Sequence, residues 1–468
     1  MAMGQVPGEL QAEFWLATQD LPRSPGHPFY ARLNQILDQS GFDSFCESEC
    51  RKFYAPVLGR PSVAPGRYFR MLLIGYFEKL DSERDIEWKC ADSLSLRSFL
   101  RLAPGENVPD HCSLSRTRRR LDLDTHRMVF EWVLKRLADH ELLSGKTTGV
   151  DSSTIEANAA MRSIVRKDNG ESYQEFLTGL AQASGIETSM AADLAKFDRS
   201  RKNKKVSNEE WHNPHDPDAK IAKMKDGTTH LAYKPEHVVD LVSGAIVAAE
   251  IHPADQGDTA TLLGTLAQAA ENLSEVSDDG TVEGDTSKLG IKEVVVDKGY
   301  HSGATLVDLE TVEVRGYVSE PDRGRRNWIS KNPPEQLAKR AEQEAVYRNR
   351  RRAKGERSKR LHRQRGELVE RAFEHVLDDG GMRRVHLKGR ENVHKRYLIH
   401  VAGFNLGLIL RKMTGFGTPK GWADALRRLL EAWIGSFGAS VRSFRRVLIA
   451  TKFTPWSTPF TRAPRCAA

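Results

Sequence analysis

The sequence has none of the long apolar segments that mark membrane proteins and secreted precursors. In its 468 residues, no apolar run approaches the ~20 residues that a membrane span requires. The first residues, Met1 to Gln5, are not a basic segment followed by an apolar one, so no signal peptide is predicted. We therefore expect a cytoplasmic protein with no membrane partner.

Cysteine is scarce and odd in number, which argues against a disulfide framework in a cytosolic chain. Two of the thiols, Cys46 and Cys50, would lie one turn apart on a helix, with His111 and Cys112 downstream. That spacing matches none of the common zinc patterns, so buried thiols are the favoured interpretation and a zinc site the alternative. The five cysteines are Cys46, Cys50, Cys90, Cys112 and Cys466.

Positive charge is what the chain has in excess. The net charge is +8 and the isoelectric point is about 9.1, a balance that favours a polyanionic partner. A hydrophobic content of 39% with 29% charged residues fits a soluble globular protein. The length predicts two or three domains.

After a short extension over residues 1–27, the pattern over 28–143 predicts a helical domain. A basic helix start follows the turn at 110–115, with Ser113 or Ser115 as its cap. A helix, a serine-rich turn and a basic helix are the order of a helix-turn-helix DNA reader; the alternative is an ordinary helical domain with a solvated arginine face. The basic residues are Arg116, Arg118, Arg119 and Arg120.

Two short β-branched segments each end in an aspartate. The segment 293–297 predicts a buried strand with Asp297 at its carboxyl end, and 148–155 predicts a second strand that carries Asp151. Open α/β sheets place their chemistry at the carboxyl ends of strands, and Lys298 beside Asp297 would add an anion contact. The alternative is that each aspartate merely caps the next turn.

The remaining pattern predicts a mixed sheet flanked by helices, in a domain over 144–412. Segments 229–241 and 245–251 predict a hairpin, 258–273 a helix and 314–318 a further strand. A polar insertion at about 156–215 interrupts this order and contains a basic run at 199–205. Such a run is usually a solvated segment and less often a nucleic-acid contact.

The densest positive block, 348–365, directly precedes a helix that carries two acids, Glu367 and Glu370. Acids at a helix start are stabilising near its N-terminus, which is one interpretation. The other is that one of these acids completes a metal site with Asp151 and Asp297. Phosphoryl transfer on nucleic acid commonly uses two hard cations, and Mg²⁺ prefers a few carboxylates together with water and phosphate oxygens.

Three blocks of the sequence resemble the DDE transposases of bacterial insertion sequences, most closely the insertion-sequence-five superfamily. The blocks are 149–154, 296–300 and 369–373, and the resemblance covers about residues 28–415. It implies an all-helical N-terminal domain followed by an α/β, ribonuclease-H-like catalytic domain. It also implies Asp151, Asp297 and Glu370 as catalytic, metal-binding acids.

The resemblance further implies the chemistry and the partners. We expect two Mg²⁺ ions, with Mn²⁺ as an alternative, and double-stranded DNA as partner, both terminal inverted repeats and target DNA, bound by a homodimer. The activity would be cleavage at transposon ends followed by strand transfer. The alternatives are a non-catalytic DNA-binding derivative and a nuclease of the same fold that does not join. The expected DNA contacts are Lys298, Arg116, Arg118, Arg119, Arg120, Arg357, Lys359, Arg360, Arg363, Arg365 and Arg371.

One departure from the family pattern concerns the third acid. Related transposases often carry Arg four residues before the glutamate and Lys seven after it. Those positions are Gly366 and Leu377 for Glu370, and Arg363 and Glu374 for Glu367, so neither register fits fully. The Val-Glu-Arg-Ala-Phe block favours Glu370. No role is predicted for the tail, 413–468.

Overall fold

The protein is described by a computed structural model. Contacts group the chain into two units, Met1–Gly417 and Thr418–Ala468. Most of the predicted N-terminal extension and C-terminal tail, Cys466 and most of the 199–205 run lie outside the described residues. The structure describes residues 26–55, 62–186, 190–201, 207–224, 227–280, 289–322, 324, 326–424, 427, 428 and 431.

The first part of the chain is helical, as predicted. Its apolar run becomes the buried helix α3, whose Arg70 is held inside by Asp43 (Nε–Oδ1 2.9 Å) and by Asp38 (Nη2–Oδ1 3.1 Å). The helices are α1 Pro28–Gln39, α2 Phe42–Cys50, α3 Pro65–Phe77, α4 Glu83–Asp92, α5 Leu94–Phe99, α6 His111–Arg120 and α7 Leu123–Asp139.

The start of the basic helix differs from the prediction. Helix α6 begins at His111, and Asp110 caps it by accepting a hydrogen bond from Ser113 N at 2.7 Å. The predicted serine cap is therefore wrong, because an aspartate three residues before Ser113 already satisfies the free N–H. The connection 100–110 between α5 and α6 is also longer than the three- or four-residue turn of a helix-turn-helix, so the geometry favours the ordinary helical alternative.

The second part of the chain is built around a mixed sheet. Its strands are β1 Thr147–Ser152, β2 Ile155–Glu156, β3 Val165–Arg166, β4 Trp211–His212, β5 Lys220–Lys223, β6 Thr229–Asp240, β7 Ile246–Pro253, β8 Glu293–Val296 and β9 Arg315–Val318. Its helices are α8 Tyr173–Ala183, α9 Ala191–Ser200, α10 Asp258–Ser277, α11 Gly303–Thr311, α12 Pro333–Ala353, α13 Glu356–Phe373 and α14 Arg390–Thr414, with a π-helical turn Glu374–Asp379 after α13.

The main path of the sheet runs β7-β6-β1-β8-β9. Strands β7, β6 and β1 are antiparallel neighbours, whereas β8 and β9 run parallel to β1. A three-stranded antiparallel meander followed by two parallel strands is the ribonuclease-H-like arrangement. The structure thus confirms the predicted mixed α/β fold with a helical region before it.

Alternation along the strands decides which side chains face which layer. Val150, Val294 and Val296 enter one core with α10, α11 and α12. Residues at the intervening positions, Gly149 and Val295, point to the other face, where α13 lies over β1. Asp151 and Asp297, two positions further on, belong to the α13 face.

The polar insertion departs from the sheet beyond the carboxyl end of β1. Strand β6 is long enough to pair with β1 through its second half and with β2 and β5 through its first. The insertion between β2 and β5 forms α8 and α9 around a small core of Leu177, Ala181 and Leu194. It therefore emerges at the same end of the sheet as the two aspartates.

Helix α14 joins the helical region to the sheet, since it packs on α3 and α7 as well as on β7. Three of the cysteines, Cys46, Cys50 and Cys90, are buried thiols, and Cys112 is exposed. Among the helices within the described ranges, we find none with the length and apolar character needed to cross a membrane.

Candidate active site at the carboxyl ends of two parallel strands

Asp151 and Asp297 lie at equivalent positions of two neighbouring parallel strands. The register pairs Gly149 with Val295, so the chain reaches Asp151 and Asp297 two residues later on both strands. Both aspartates are half-buried. Because neighbouring parallel strands are ~5 Å apart, the fold brings together two acids that are far apart in the sequence.

Asp151 is held by a buried arginine of α13. Arg365 Nη2 lies 2.9 Å from Asp151 Oδ2, and Arg365 Nε donates to the carbonyl oxygen of Val150 at 3.1 Å. The other carboxylate oxygen, Oδ1, accepts from Ser152 N at 2.9 Å. The absence of a side chain at Gly149 allows this approach, since a Cβ there would lie 2.9 Å from Arg365 Cγ.

Asp297 caps the short 3₁₀ turn Lys298–Tyr300. Its Oδ1 accepts from Gly299 N at 2.8 Å, so the interpretation that Asp297 caps the next turn is confirmed. A Cβ at Gly299 would lie 3.1 Å from this same oxygen and 2.6 Å from Asp258 Oδ2. Two carboxylates therefore face one small space, which only a glycine at this position leaves open.

Glu370 and Glu367 differ in the direction they take from α13. Glu367 lies on the side away from the sheet and pairs with Arg371 at 2.8 Å. On the other flank, Leu368 faces Gly244, which lies in the β6–β7 turn at the opposite end of the sheet from Asp151. Glu370 follows Leu368 by two residues, which is a rotation of ~200° around the helix axis. Its side chain therefore projects from the flank opposite Leu368, which is the flank on the side of the two aspartates. Both glutamates are exposed.

A layer of buried rings holds the carboxyl end of α13 on the sheet. His237, the cross-strand neighbour of Asp151, stacks on Phe373 with ring centroids 4.0 Å apart. Its Nε2 is 2.6 Å from the hydroxyl oxygen of Tyr397. Burial lowers the pKa of His237 to about 3, so the ring is neutral. Phe373 is three residues from Glu370, and this contact therefore fixes the end of α13 that carries the acid.

A second histidine near the site, His362, lies on α13. The pKa of His362 is lowered by burial and by Arg365, while Asp297 opposes the shift. His362 is thus neutral at pH 7. Helix α13 packs on both β1 and β8, the strands that lead to the two aspartates.

The acids at this edge have the chemistry that a divalent cation needs. Hard carboxylate oxygens suit Mg²⁺ and Mn²⁺. In this structure the positive charge beside Asp151 is the guanidinium of Arg365. Within the described ranges, however, no group of three or more His, Cys, Asp or Glu side chains is close enough to hold a metal ion. Asp151 and Asp297 are brought to adjacent strand ends, and Glu370 is placed on the facing flank of α13 without reaching ligand distance.

The expected DNA contacts divide into internal and exposed side chains. Arg118 is buried and pairs with Glu83, Arg365 pairs with Asp151, and Arg357 pairs with Glu293 at 2.6 Å. Arg365 and Arg118 are therefore structural cations in this conformation, since a buried guanidinium cannot reach a phosphate. The exposed members of the set are Lys298, Arg116, Arg119, Arg120, Arg357, Lys359, Arg360, Arg363 and Arg371.

Sequence reasoning missed three residues beside the site. Lys234 and Glu236 are charged yet buried on β6, and Asp258 begins α10 next to Gly299. A signal was present, because a lysine and a glutamate on one face of a predicted strand must be paired if that face is buried. The partners themselves are far away in the sequence and could not be identified from it.

Comparison with known families agrees with this geometry. Residues 18–120 match a family described as a transposase domain of the DUF772 type, and residues 201–406 match the transposase DDE domain. The second match includes Asp297 and Glu370, whereas Asp151 precedes it. No curated protein and no solved structure matches the chain. Two transposase domains in this order, on a ribonuclease-H-like sheet, show that the chain belongs to the DDE transposases of insertion sequences.

Proposed function

We propose that the protein cleaves DNA at the ends of its own element and transfers the freed strand to target DNA. The observation that carries this proposal is the placement of Asp151 and Asp297 at adjacent parallel strand ends, facing the helix of Glu370. In the reaction, water attacks a phosphodiester and the bond to the 3′ oxygen breaks. The 3′-hydroxyl so released then attacks a phosphodiester of the target, forms a new bond to that phosphorus and displaces the 3′ oxygen of the target strand as a hydroxyl.

Each acid would have a defined part in this reaction. Asp151 and Asp297 would hold divalent cations from two strand ends, and Glu370 would approach from α13. When bound, Mg²⁺ or Mn²⁺ supplies the positive charge that phosphoryl transfer needs at the attacked phosphate. The rigid strands would hold the two aspartates in position, and the exposed basic residues of α13 would hold the DNA backbone.

Two finer points belong to the same proposal. We infer membership of the insertion-sequence-five superfamily from the order of the three blocks. We also infer that two copies act together on DNA, since an element has two ends; light scattering of the protein–DNA complex would test for a dimer.

The test is cleavage of a duplex that carries the terminal inverted repeat, with Mg²⁺ or Mn²⁺. Asp151→Ala and Asp297→Ala should each abolish cleavage while DNA binding in EDTA stays nearly unchanged, because binding depends on basic residues elsewhere. Asp124→Ala, which removes an exposed acid of α7, is the matched control and should cleave normally. Normal cleavage by either site variant would disprove the assignment.

A second assay separates a joining enzyme from a nuclease. A pre-cleaved end with a free 3′-hydroxyl is incubated with a supercoiled target plasmid, and joined products are counted. Cleavage without joining would mean a nuclease of the same fold, and binding without either would mean a non-catalytic derivative.

A further inference from the structure

Strand β6 carries two buried charges next to the candidate site. Lys234 is 5% exposed and Glu236 is fully buried. They alternate along the strand and so lie on one face, which is the face that meets α10. Charges in such a position are costly unless they are paired and hydrogen-bonded. Their partners therefore show what the two charges do.

Lys234 connects β6 to the residue that follows Asp151. Its Nζ lies 2.8 Å from Asp258 Oδ1, and that oxygen also accepts from Ser152 Oγ at 2.9 Å. Lys234 Nζ further donates to the Gln256 carbonyl oxygen at 3.1 Å. Asp258 is the first residue of α10, a position that by itself favours an acid, but the helix start does not explain why Asp258 contacts Ser152.

Glu236 connects the same strand to the turn that follows Asp297. Thr261 Oγ1 donates to Glu236 Oε1 at 2.9 Å and accepts from Lys234 Nζ at 3.1 Å. Tyr300 Oη donates to the same Glu236 oxygen at 2.8 Å. Burial acts to raise the pKa of Glu236, but hydrogen bonds from His252, Thr265 and Tyr300 outweigh it, so the pKa lies below the usual value.

These contacts form one continuous chain of hydrogen bonds between the two catalytic blocks. It begins at Ser152, one residue after Asp151, and ends at Tyr300, three residues after Asp297. Its second member, Asp258, also approaches the small space beside Gly299. The order is Ser152, Asp258, Lys234, Thr261, Glu236 and Tyr300.

We propose that this chain is a positioning network that sets the spacing of Asp151 and Asp297 for metal binding. The inference rests on the proposed function, because it assigns these two acids to the metal. Asp151 is still paired with His237 of β6, but the pairing of β1 with β8 ends at Gly149 and Val295, two residues before the aspartates. No ladder contact between β1 and β8 therefore sets the spacing of the two acids themselves. The network anchors the residues just past them, and no network residue itself needs to touch the metal or the DNA.

The sharpest variant removes the central hydroxyl without changing the side-chain shape. Thr261→Val breaks the link between Lys234 and Glu236, and Thr261→Ser keeps the hydroxyl. Thr311→Val is the control, because Thr311 makes only a comparable helical bond to the Val307 carbonyl oxygen at 3.0 Å. Tyr300→Phe, which removes the terminal donor, provides a second route should Thr261→Val fail to fold.

The readout is Mn²⁺ binding by the purified full chain, from the electron paramagnetic resonance signal of free Mn²⁺. We expect Thr261→Val and Tyr300→Phe to weaken binding on the order of 10-fold, as removal of residues that orient metal ligands typically does. Thr261→Ser and Thr311→Val should bind like the parent. DNA binding in EDTA should be equal in all of them.

Several results would contradict the proposed positioning role of the network. Parent-like Mn²⁺ affinity in Thr261→Val or Tyr300→Phe would show that it does not position the acids. Equal weakening in Thr261→Ser and Thr261→Val would show a packing effect instead. If Asp151→Ala and Asp297→Ala bound Mn²⁺ as well as the parent, the proposed site itself would be wrong, a failure distinct from that of the network.

Discussion

Arg365 Nη2 lies 2.9 Å from Asp151 Oδ2, and the same guanidinium donates through Nε to the carbonyl oxygen of Val150 at 3.1 Å. This pair joins the middle of α13 to the carboxyl end of β1. It ties the strand that carries Asp151 to the helix that carries Glu370. It also places a cation beside Asp151 within the protein.

Removing the guanidinium should destabilise the protein by breaking this one ion pair. We expect Arg365→Met to lower the free energy of unfolding by about 1–3 kcal/mol, less than for a fully buried pair because Asp151 is partly exposed. Urea unfolding of Arg365→Met, Asp151→Ala and the double variant should give a coupling of about 1–2 kcal/mol. Arg363→Met, an exposed neighbour on the same helix, should change stability by less than about 0.5 kcal/mol. Additive effects of the two single variants would show that the pair contributes nothing.

The two glutamates of α13 should differ in their effect on cleavage. Glu370→Gln should eliminate Mg²⁺-dependent cleavage, because Glu370 leaves the helix on the flank that faces the strand ends. Glu367→Gln should lower cleavage only modestly, since Glu367 lies on the outer side and pairs with Arg371. Both purified variants are assayed side by side on the same end substrate. The opposite ranking would mean that Glu367 is the third acid.

Replacing either of two glycines near the site by alanine should change the free energy of unfolding in opposite directions. Gly149→Ala would put a Cβ 2.9 Å from both Arg365 Cγ and Leu241 Cδ2, so α13 must move away from β1, at about 1–3 kcal/mol. Gly366→Ala meets no atom within 4 Å and should stabilise the helix by about 0.5–1 kcal/mol. Thermal and urea unfolding measure both.

The two glycine substitutions should also differ in their effect on DNA cleavage. Gly149→Ala should also reduce cleavage, whereas Gly366→Ala should retain it. A fully active Gly149→Ala protein would show that the spacing of α13 and β1 does not matter.

The exposed basic residues of α13 should bind DNA without regard to sequence. Arg360→Ala with Arg363→Ala should weaken binding to all duplexes alike. The slope of log affinity against log salt should fall by roughly 2, because each missing guanidinium leaves one phosphate without its counter-charge. Arg357 is left unchanged because it pairs with Glu293. Anisotropy titrations over a range of NaCl in EDTA give the slope.

A variant with the same reduction in charge controls for net charge in that experiment. The double variant Lys339→Ala with Arg340→Ala on α12 also removes two positive charges. These two side chains pair with Glu335 and Glu344. The salt slope of this double variant should match the parent. If the α13 variant also kept the parental slope, its basic block would be only a solvated face.

The sequence by itself determined the local elements and the chemical class of the site. The β-branched run before Asp297 favours a buried strand, and the apolar period of Leu262, Leu266 and Ala270 favours a helix with one face inside. The transposase blocks were recognisable from short-range order alone, and the family matches confirm the family, with the DDE match spanning the second and third blocks. Such features depend on neighbours within a few residues.

Only the tertiary structure decided how these elements meet. Periodicity cannot say that β1 lies beside β8, which puts Asp151 next to Asp297, nor that Arg365 turns inward while Arg363 turns out. It cannot pair Lys234 with Asp258 or Glu236 with Tyr300. Each of these contacts joins residues from different elements, and their geometry depends on the packing of whole helices on the sheet. The flank of α13 from which Glu370 leaves is set in the same way, because burial of Val369 and Phe373 against β1 and β6 fixes the rotation of that helix.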